Sequence, residues 1–170
     1  MMVSASVVEW NGKFIAVARG ECGLLAATLP CKSAEEAKRR ILDIVCEVEV
    51  WSDDICKQVA EKMFRFLEGE NVDFNYEVDL SRLTSFQRMV LEEVRRIPPG
   101  VTLTYGELAR RVGKPKAARA VGSALKKNPL PLIIPCHRVV GTRGVGGYTG
   151  GLEIKIKLLE AEGANWAVKA

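Results

Sequence analysis

At 170 residues, 48% of them hydrophobic and 27% charged, the chain has the composition of a globular protein of one or two small domains. No apolar run approaches the ~18 residues of a membrane helix, and the opening MMVSASVVEW lacks the basic-then-apolar pattern of a secretory signal, so a cytoplasmic protein without membrane attachment is expected. The net charge of +4 conceals opposed halves: residues 1–80 hold 9 Lys/Arg against 15 Asp/Glu, whereas residues 81–150 hold 13 against 3, which marks the latter as a candidate for binding a polyanion.

SVVEW, the Asn11-Gly12 pair and KFIAVAR read as a β-hairpin, and a glycine-containing turn leads to a third strand in LLAATL. Ser33 with Glu36 predicts a capping box at the head of a helix reaching about Val45, with Ala37, Ile41, Ile44 and Val45 on its apolar face. A second helix spans about Ser52 to Leu67 and stops before Gly69. The stretch NVDFNYEVDLSRL, 71–83, lacks helical periodicity, coincides with the reversal of charge and reads as a linker, which places the domains at 1–80 and 81–170. Cys22, Cys31, Cys46, Cys56 and Cys136 have no regular spacing and a single histidine accompanies them, so neither a disulfide framework nor a zinc site is encoded. Asn and Gln total only seven while Lys, Arg and Glu abound, a heat-adapted composition in which a Cys22–Cys31 bond competes with the ordinary expectation of buried free thiols.

Thr84 with Gln87 predicts a capping box for a helix running through FQRMVLEEVRRI to Pro98-Pro99-Gly100, and Thr104 with Glu107 a third box, over a short helix ending near Val112-Gly113. Pro115 suits the first turn of the next helix, KAARAVGSALKK, after a turn of about three residues. Two helices so joined form a helix-turn-helix or a plain helical hairpin, and charge favours the first. Lys116, Arg119, Lys126 and Lys127 stand without an acid among them, while Ala117, Ala118, Ala120, Gly122, Ser123 and Ala124 permit close approach to a nucleic-acid groove. The expected fold class is α/β in the α+β sense: a small N-terminal antiparallel sheet with helices, joined to a mainly helical C-terminal domain containing a helix-turn-helix.

The lone histidine stands beside a cysteine in IIPCHRVV, after the proline-stiffened NPLP. His137, Arg138 and Arg143 are the nearby cations expected to lower the pKa of the Cys136 thiol and make it a nucleophile. GTRGVGGYTGG, 141–151, fits neither a phosphate loop nor a dinucleotide fingerprint and reads as a flexible, backbone-rich pocket wall, so nucleotide binding is not expected.

PCHRVV, preceded by NPLPLI and KAARAVGSALKKN and followed by GVGGYTGGLEIKIKLLEAEG, resembles the O6-alkylguanine-DNA alkyltransferases, the methylated-DNA–protein-cysteine methyltransferases. The resemblance runs from about Phe86 to Gly163, roughly half the chain. It implies that Cys136 takes the alkyl group, that a water links it to His137, and that Glu162 orients the imidazole, which is triad logic applied to a thiol. It further implies that Tyr105 hydrogen-bonds or protonates N3 of the base. Carbonyls of Cys136 and Val139 would accept from the exocyclic amine, the backbone of Thr149, where serine is common, would donate to O6, and Tyr148 would wall the pocket. Arg119 would fill the space left by the flipped nucleotide, with Ala118, Ala120 and Gly122 close to the minor groove. Lys116, Ser123, Lys126 and Arg138 would be further DNA contacts, and Asn128 would border the pocket while tying the recognition helix to the active-site loop. The implied activity is irreversible, stoichiometric transfer from O6 of guanine, and O4 of thymine, in double-stranded DNA to the cysteine of a monomer, without metal or soluble cofactor. Two other classes compete with it. A lesion-binding protein of the alkyltransferase-like kind would lack Cys136, and a cysteine hydrolase using Cys136, His137 and Glu162 would turn over and need no basic helices.

Overall fold

The computed structural model describes residues 2–166. Strands β1 (Ser4–Trp10) and β2 (Lys13–Gly20) pair antiparallel across Asn11-Gly12, both at positive φ (50° and 77°), the backbone that a tight two-residue hairpin requires. Strand β3 (Gly23–Ala27) pairs with the other edge of β2. Alternation along β2 sends Ala16 and Ala18 to one face and Ile15 and Val17 to the other, and all four are fully buried. The first face packs against helix α1 (Ala34–Val45) through Ala37, Ile41 and Val45. Helix α2 (Asp54–Leu67) packs on β1 and β2 with Cys56, Val59, Ala60 and Met63 buried. A helix on each side explains why the central strand is apolar throughout.

Some expectations need correction here. Ile44 is 39% exposed, because it lies at the edge of the stripe centred on Ile41. Ser33 Oγ accepts the Glu36 N–H (3.1 Å), but the box does not close: the Glu36 carboxylate accepts from Lys32 N–H (3.2 Å) and Arg40 (2.8 Å) instead. The stretch 71–83 is no free linker. Leu24 N–H donates to the Glu77 carbonyl (2.9 Å) and Asp79 N–H to that of Leu24 (2.8 Å), adding Val78 to the open edge of β3 as a parallel bridge. Gly23 permits this approach, since a Cβ there would lie 2.6 Å from the Glu77 carbonyl oxygen. All five cysteines are free thiols, and the Cys22–Cys31 pairing is not formed: Cys22 is exposed, whereas Cys31 is buried with its Sγ on the Leu29 carbonyl (3.3 Å). Cys46 is also exposed, so burial is not general among them.

The chain divides into two compact units, residues up to Arg82 with Pro129–Pro131, and Leu83–Asn128 with the residues from Leu132 onward. In the second, helix α3 (Ser85–Val94) opens with the Thr84–Gln87 capping box, both halves formed. It ends at Val94 rather than running to the prolines, Arg95 and Arg96 forming a turn before Ile97, whose place ahead of Pro98 disfavours helix. Strand β4 (Leu103–Thr104) runs directly into helix α4 (Tyr105–Arg111) and pairs in parallel with β5 (Val139–Val140). Helix α5 (Ala118–Lys126) packs on both α3 and α4, and helix α6 (Leu152–Ala161) follows the glycine-rich loop. Pro115 does not start α5. It sits in a separate turn closed by Ala117 N–H on the Lys114 carbonyl (2.9 Å), so the connection between α4 and α5 spans residues 112–117, longer than expected. Among the described residues no helix is long and apolar enough to cross a membrane.

In the first unit one carboxylate joins sheet to helix. Asp53 caps α2 by accepting the Cys56 N–H (2.9 Å), and also accepts from Ser4 Oγ (2.6 Å) and Arg19 Nε (2.8 Å). Burial by itself would raise its pKa, but Ser4, Cys56 and Arg19 together hold it down to about 2. A carboxyl with a depressed folded pKa stabilises fully above its ordinary value of 3.8 and loses that contribution as pH falls towards 2. Asp53→Ala is therefore expected to cost about 2 kcal/mol in urea unfolding at neutral pH, and the difference from the natural protein should shrink in the same assay as the pH is lowered through that window.

Candidate active site

The chain turns sharply before the cysteine. Leu132 takes left-handed backbone (φ 72°), uncommon for a branched side chain, and beyond it the Ile134 carbonyl accepts the Asn128 side-chain amide at 3.0 Å. Cys136, His137 and Arg138 then form a single 3-10 turn, all three buried. On such a turn successive side chains diverge by about 120°, so Cys136 and His137 address different surroundings. His137 Nε2 lies 3.0 Å from Glu162 Oε1, at the end of α6. Arg138 grips the same carboxylate, Nε to Oε1 and Oε2 at 3.2 and 3.0 Å and Nη2 to Oε2, while its Nη1 donates to the Ile97 carbonyl at 2.7 Å.

These contacts set the protonation states. Burial would raise the Glu162 carboxyl, but hydrogen bonds and charge from His137 and Arg138 prevail and hold it below the ordinary value. An ionised carboxylate only accepts, so His137 Nε2 carries the hydrogen and Nδ1 is the basic nitrogen. Burial pulls the His137 pKa down, Glu162 opposes the fall, and Arg138 and Lys155 add to it, leaving a neutral imidazole at pH 7. Cys136 behaves otherwise than expected: burial pushes its thiol up, opposed by a hydrogen bond from the Asn128 side chain and by the charge of Lys155. The anticipated cations do not act on it, because His137 is neutral, Arg138 is neutralised by Glu162, and Arg143 is exposed.

Tyr105 owes its position to the short parallel pairing of β4 with β5, because Thr104 ends the strand and caps α4 through the Glu107 N–H (3.1 Å). Its phenol is raised by burial, lowered by a hydrogen bond from the Gly147 backbone, and raised again by Cys136, so it remains a proton donor. Gly146 at φ 74° allows the loop so near, as a Cβ there would lie 2.9 Å from Tyr105 Oη.

A cavity of about 870 Å³ opens before Cys136, lined by Tyr105, Gly122, Gly147, Tyr148 and Thr149 and bordered by Ala118, Arg119, Ser123 and Lys126 of α5. That is the size of a small-molecule pocket. Among the described residues the buried Tyr148 hydroxyl has no hydrogen-bond partner, leaving a polar group for a bound molecule to satisfy. Helix α5 exposes Arg119, Ala120, Ser123 and Lys126 and buries Val121, Ala124 and Leu125, so Ala124 serves the core and not an outer approach. Lys116 is exposed in the turn ahead of the helix. Arg138 is corrected outright: its guanidinium faces inward onto Glu162 and Ile97, where it cannot meet a DNA phosphate. The Cys136 carbonyl accepts the Val139 N–H and that of Val139 accepts Lys155 Nζ (2.6 Å), so both carbonyls are engaged within the protein. Among the described residues no cluster of three or more His, Cys, Asp or Glu is placed to hold a metal.

Lys155 was absent from the sequence expectations, although one signal pointed to it. Lys155, Leu158, Leu159 and Glu162 fall at i, i+3, i+4 and i+7, so the lysine sits on the inward stripe of α6.

Comparison with known proteins is consistent with this geometry. Residues 85–164 match the family described as 6-O-methylguanine DNA methyltransferase, DNA binding domain. The methylated-DNA–protein-cysteine methyltransferase of Sulfolobus acidocaldarius is 40% identical over 151 residues, 89% of this chain and 87% of that one. Its namesake in Methanothermobacter thermautotrophicus is 46% identical over 111 residues, 64% of this chain, which spans 62% of that relative's length. The crystal structure of the Mycobacterium tuberculosis O6-methylguanine methyltransferase superposes with a TM-score of 0.74 at 31% identity, covering 95% of this chain and 93% of the other. The structure of the M. tuberculosis protein in complex with DNA gives 0.73 at 30%, covering 98% and 96%. With that identity sustained over most of both chains, the protein belongs to the methylated-DNA–protein-cysteine methyltransferase family.

Proposed function

We propose that the protein repairs double-stranded DNA by moving an alkyl group, once and irreversibly, from O6 of guanine or O4 of thymine to Cys136. One observation carries this reading: a cysteine at the floor of a cavity bordered by an acid-free, cationic helix face, in a turn that also carries a neutral histidine backed by an ionised glutamate. The relatives' shared name, and the complex of the M. tuberculosis protein with DNA, support the same chemistry here.

The target is unreachable inside a stacked duplex, so the nucleotide is flipped into the cavity at a cost of a few kcal/mol. Arg119 on the exposed face of α5 fills the gap, while Ala118, Gly122 and Ser123 allow the backbone to come close and Lys116 and Lys126 meet phosphates. The thiol proton moves towards His137 Nδ1, and Glu162 stabilises the imidazolium. The sulfur–carbon bond forms as the carbon–O6 bond breaks, Tyr105 donates to N3 of the departing guanine, and the proton held on His137 balances the one the guanine gains. The backbone of Thr149 donates to O6, the carbonyls of Cys136 and Val139 accept from the exocyclic amine, Tyr148 walls the base, and Asn128 fixes the cysteine turn to α5. A thioether has no good leaving group, so one molecule performs one repair. Every group in this scheme lies in one copy of the chain, so a monomer suffices, and the scheme calls on no metal or soluble cofactor. A cytoplasmic location accords with DNA as substrate.

Incubation with a duplex bearing a single O6-methylguanine should add one methyl to Cys136, saturating at one per protein by intact mass, while Cys136→Ala binds the duplex without gaining mass. Repeated turnover, or no adduct, would overturn the reading. Arg119→Ala is expected to slow transfer from duplex far more than from the free alkylated base, measured as single-turnover rates; equal effects would remove its flipping role. Glu162→Gln withdraws the main influence that holds the His137 pKa up, and should slow transfer by about 10- to 100-fold at pH 7 with duplex affinity unchanged.

A further inference from the structure

Between Arg138 and Glu153 the chain carries a single charge, Arg143. Arg138 is buried on Glu162, whereas Arg143 is exposed, with neither an ion pair nor a hydrogen bond among the described residues. The antiparallel bridge of Gly141 with Gly144 sets Arg143 at the tip of a two-residue turn that follows β5 directly. That turn is held in place. A Cβ on Gly146 would lie 3.1 Å from the Gly141 amide nitrogen and 2.9 Å from Tyr105 Oη, so the loop packs back on itself and on the phenol.

Tyr105 also shows which side of the cavity the turn occupies. The loop meets the ring at its Cε2 edge, 3.1 Å from the Gly146 Cβ position, and α5 meets the other edge, where a Cβ on Gly122 would lie 3.9 Å from Cδ1. The cavity therefore has two rims, α5 with Arg119 and Lys126 on one and the loop with Gly147, Tyr148 and Thr149 on the other. On the loop rim Arg143 is the only ionic group, and the backbone there is open: a Cβ on Gly144 or Gly147 would meet nothing within 4 Å. An uncrowded backbone beside one unpaired guanidinium suits a phosphate, which the planar fork engages through two hydrogen bonds.

The flip decides which phosphate this is. In a stacked duplex held by α5, the DNA backbone runs along the cationic face of that helix. An extruded nucleotide turns about its backbone and sends its base between the rims, leaving its sugar and phosphate at the mouth, where the loop rim meets them. A contact made only in the extruded state shifts the flipping equilibrium by its whole strength, whereas one made equally in both states shifts nothing.

We propose that Arg143 grips the phosphate of the flipped nucleotide from the loop rim and so holds the extruded base before Cys136. The inference rests on the alkyl-transfer reading and gives Arg143 a task on DNA in place of the one on the thiol that its position in the sequence suggests.

The test uses the full chain with Arg143→Gln, which removes the charge, and Arg143→Lys, which keeps it without the fork. In a Cys136→Ala background, affinities are measured for a duplex with a single O6-methylguanine and for the same duplex undamaged, each over a salt series. With Cys136 present, single-turnover methyl transfer is followed from the duplex and from the free alkylated base. Arg143→Gln is expected to weaken binding to the alkylated duplex about tenfold and to the undamaged one less than about twofold. The slope of log affinity against log salt for the alkylated duplex should become shallower by about 0.9, the loss of one phosphate contact. Transfer should slow about tenfold from the duplex and less than about twofold from the free base. Arg143→Lys should restore the salt slope and only part of the affinity. Equal losses on the two duplexes, an unchanged slope, or equal slowing on duplex and free base overturns the proposal, the last because it would place the effect of the arginine at the sulfur. Failure of the natural protein to take up methyl would instead overturn the alkyl-transfer reading, while the affinities in the Cys136→Ala background would still decide whether Arg143 holds the flipped nucleotide.

Discussion

Glu162 stands at the C-terminal end of α6, where the helix dipole disfavours a negative charge, and it is nonetheless ionised because His137 and Arg138 surround it. Withdrawing Arg138 from such a buried cluster leaves the carboxylate uncompensated, at about 3–5 kcal/mol for a fully buried ion pair. The carboxylate thus ties the last helix to the 3-10 turn and fixes the imidazole tautomer in the same contact. It also accounts for the order of residues in the turn. Two consecutive side chains of different length converge on one carboxylate, while the residue before them, diverging by a third of a turn, is directed to the cavity.

Within this frame the resting cysteine is protected, not primed. Burial outweighs the influences that favour the thiolate, the Asn128 hydrogen bond and the charge of Lys155, so ionisation also needs the neighbouring base. In the proposed single-event chemistry this has an advantage, since a thiolate exposed at rest would react with any stray electrophile. Under the proposed chemistry the cavity admits a flat base and holds the sulfur in the turn that also carries the neutral imidazole able to take its proton.

Much of the fold was legible where a local rule decides it, although the Ser33–Glu36 box and the placement of Pro115 were not. Asn11-Gly12 specified its hairpin turn, Thr84 with Gln87 its capping box, and the adjacency of Cys136 and His137 drew attention to the reactive turn. What escaped depends on contacts remote in sequence. The two-residue strands β4 and β5 are too short to leave a periodic trace, yet their pairing is what brings Tyr105 to the site. Val78 stands in VDFNYEVDL, whose alternation of apolar and polar residues is a strand signal that the missing helical periodicity and the charge reversal obscured, and it joins the open edge of β3 at a single bridge. Arg138 reads as one more cation in a basic half until its partner, 24 residues away, is known. The same blindness led to the expectation of a lowered thiol pKa, because sequence reports which charges are near but not which are already neutralised.

Asp53 and Glu162 show how one chemical device gives different results at opposite ends of a helix. Asp53 sits at the N-terminus of α2, where the dipole and the Cys56 N–H favour its anion, and Arg19 with Ser4 completes its shell. Its charge has no task beyond joining sheet to helix. Glu162 has the opposite polarity beneath it, so its ionisation depends on Arg138, permanently charged, and on the hydrogen bond from His137, which can gain a proton. A change at His137 is therefore felt by the carboxylate and through it by Arg138, whereas Asp53 faces only groups whose charge is constant near neutral pH. Placing the structural carboxylate at a helix start and the reactive one at a helix end lets the same residue chemistry be inert in one unit and responsive in the other.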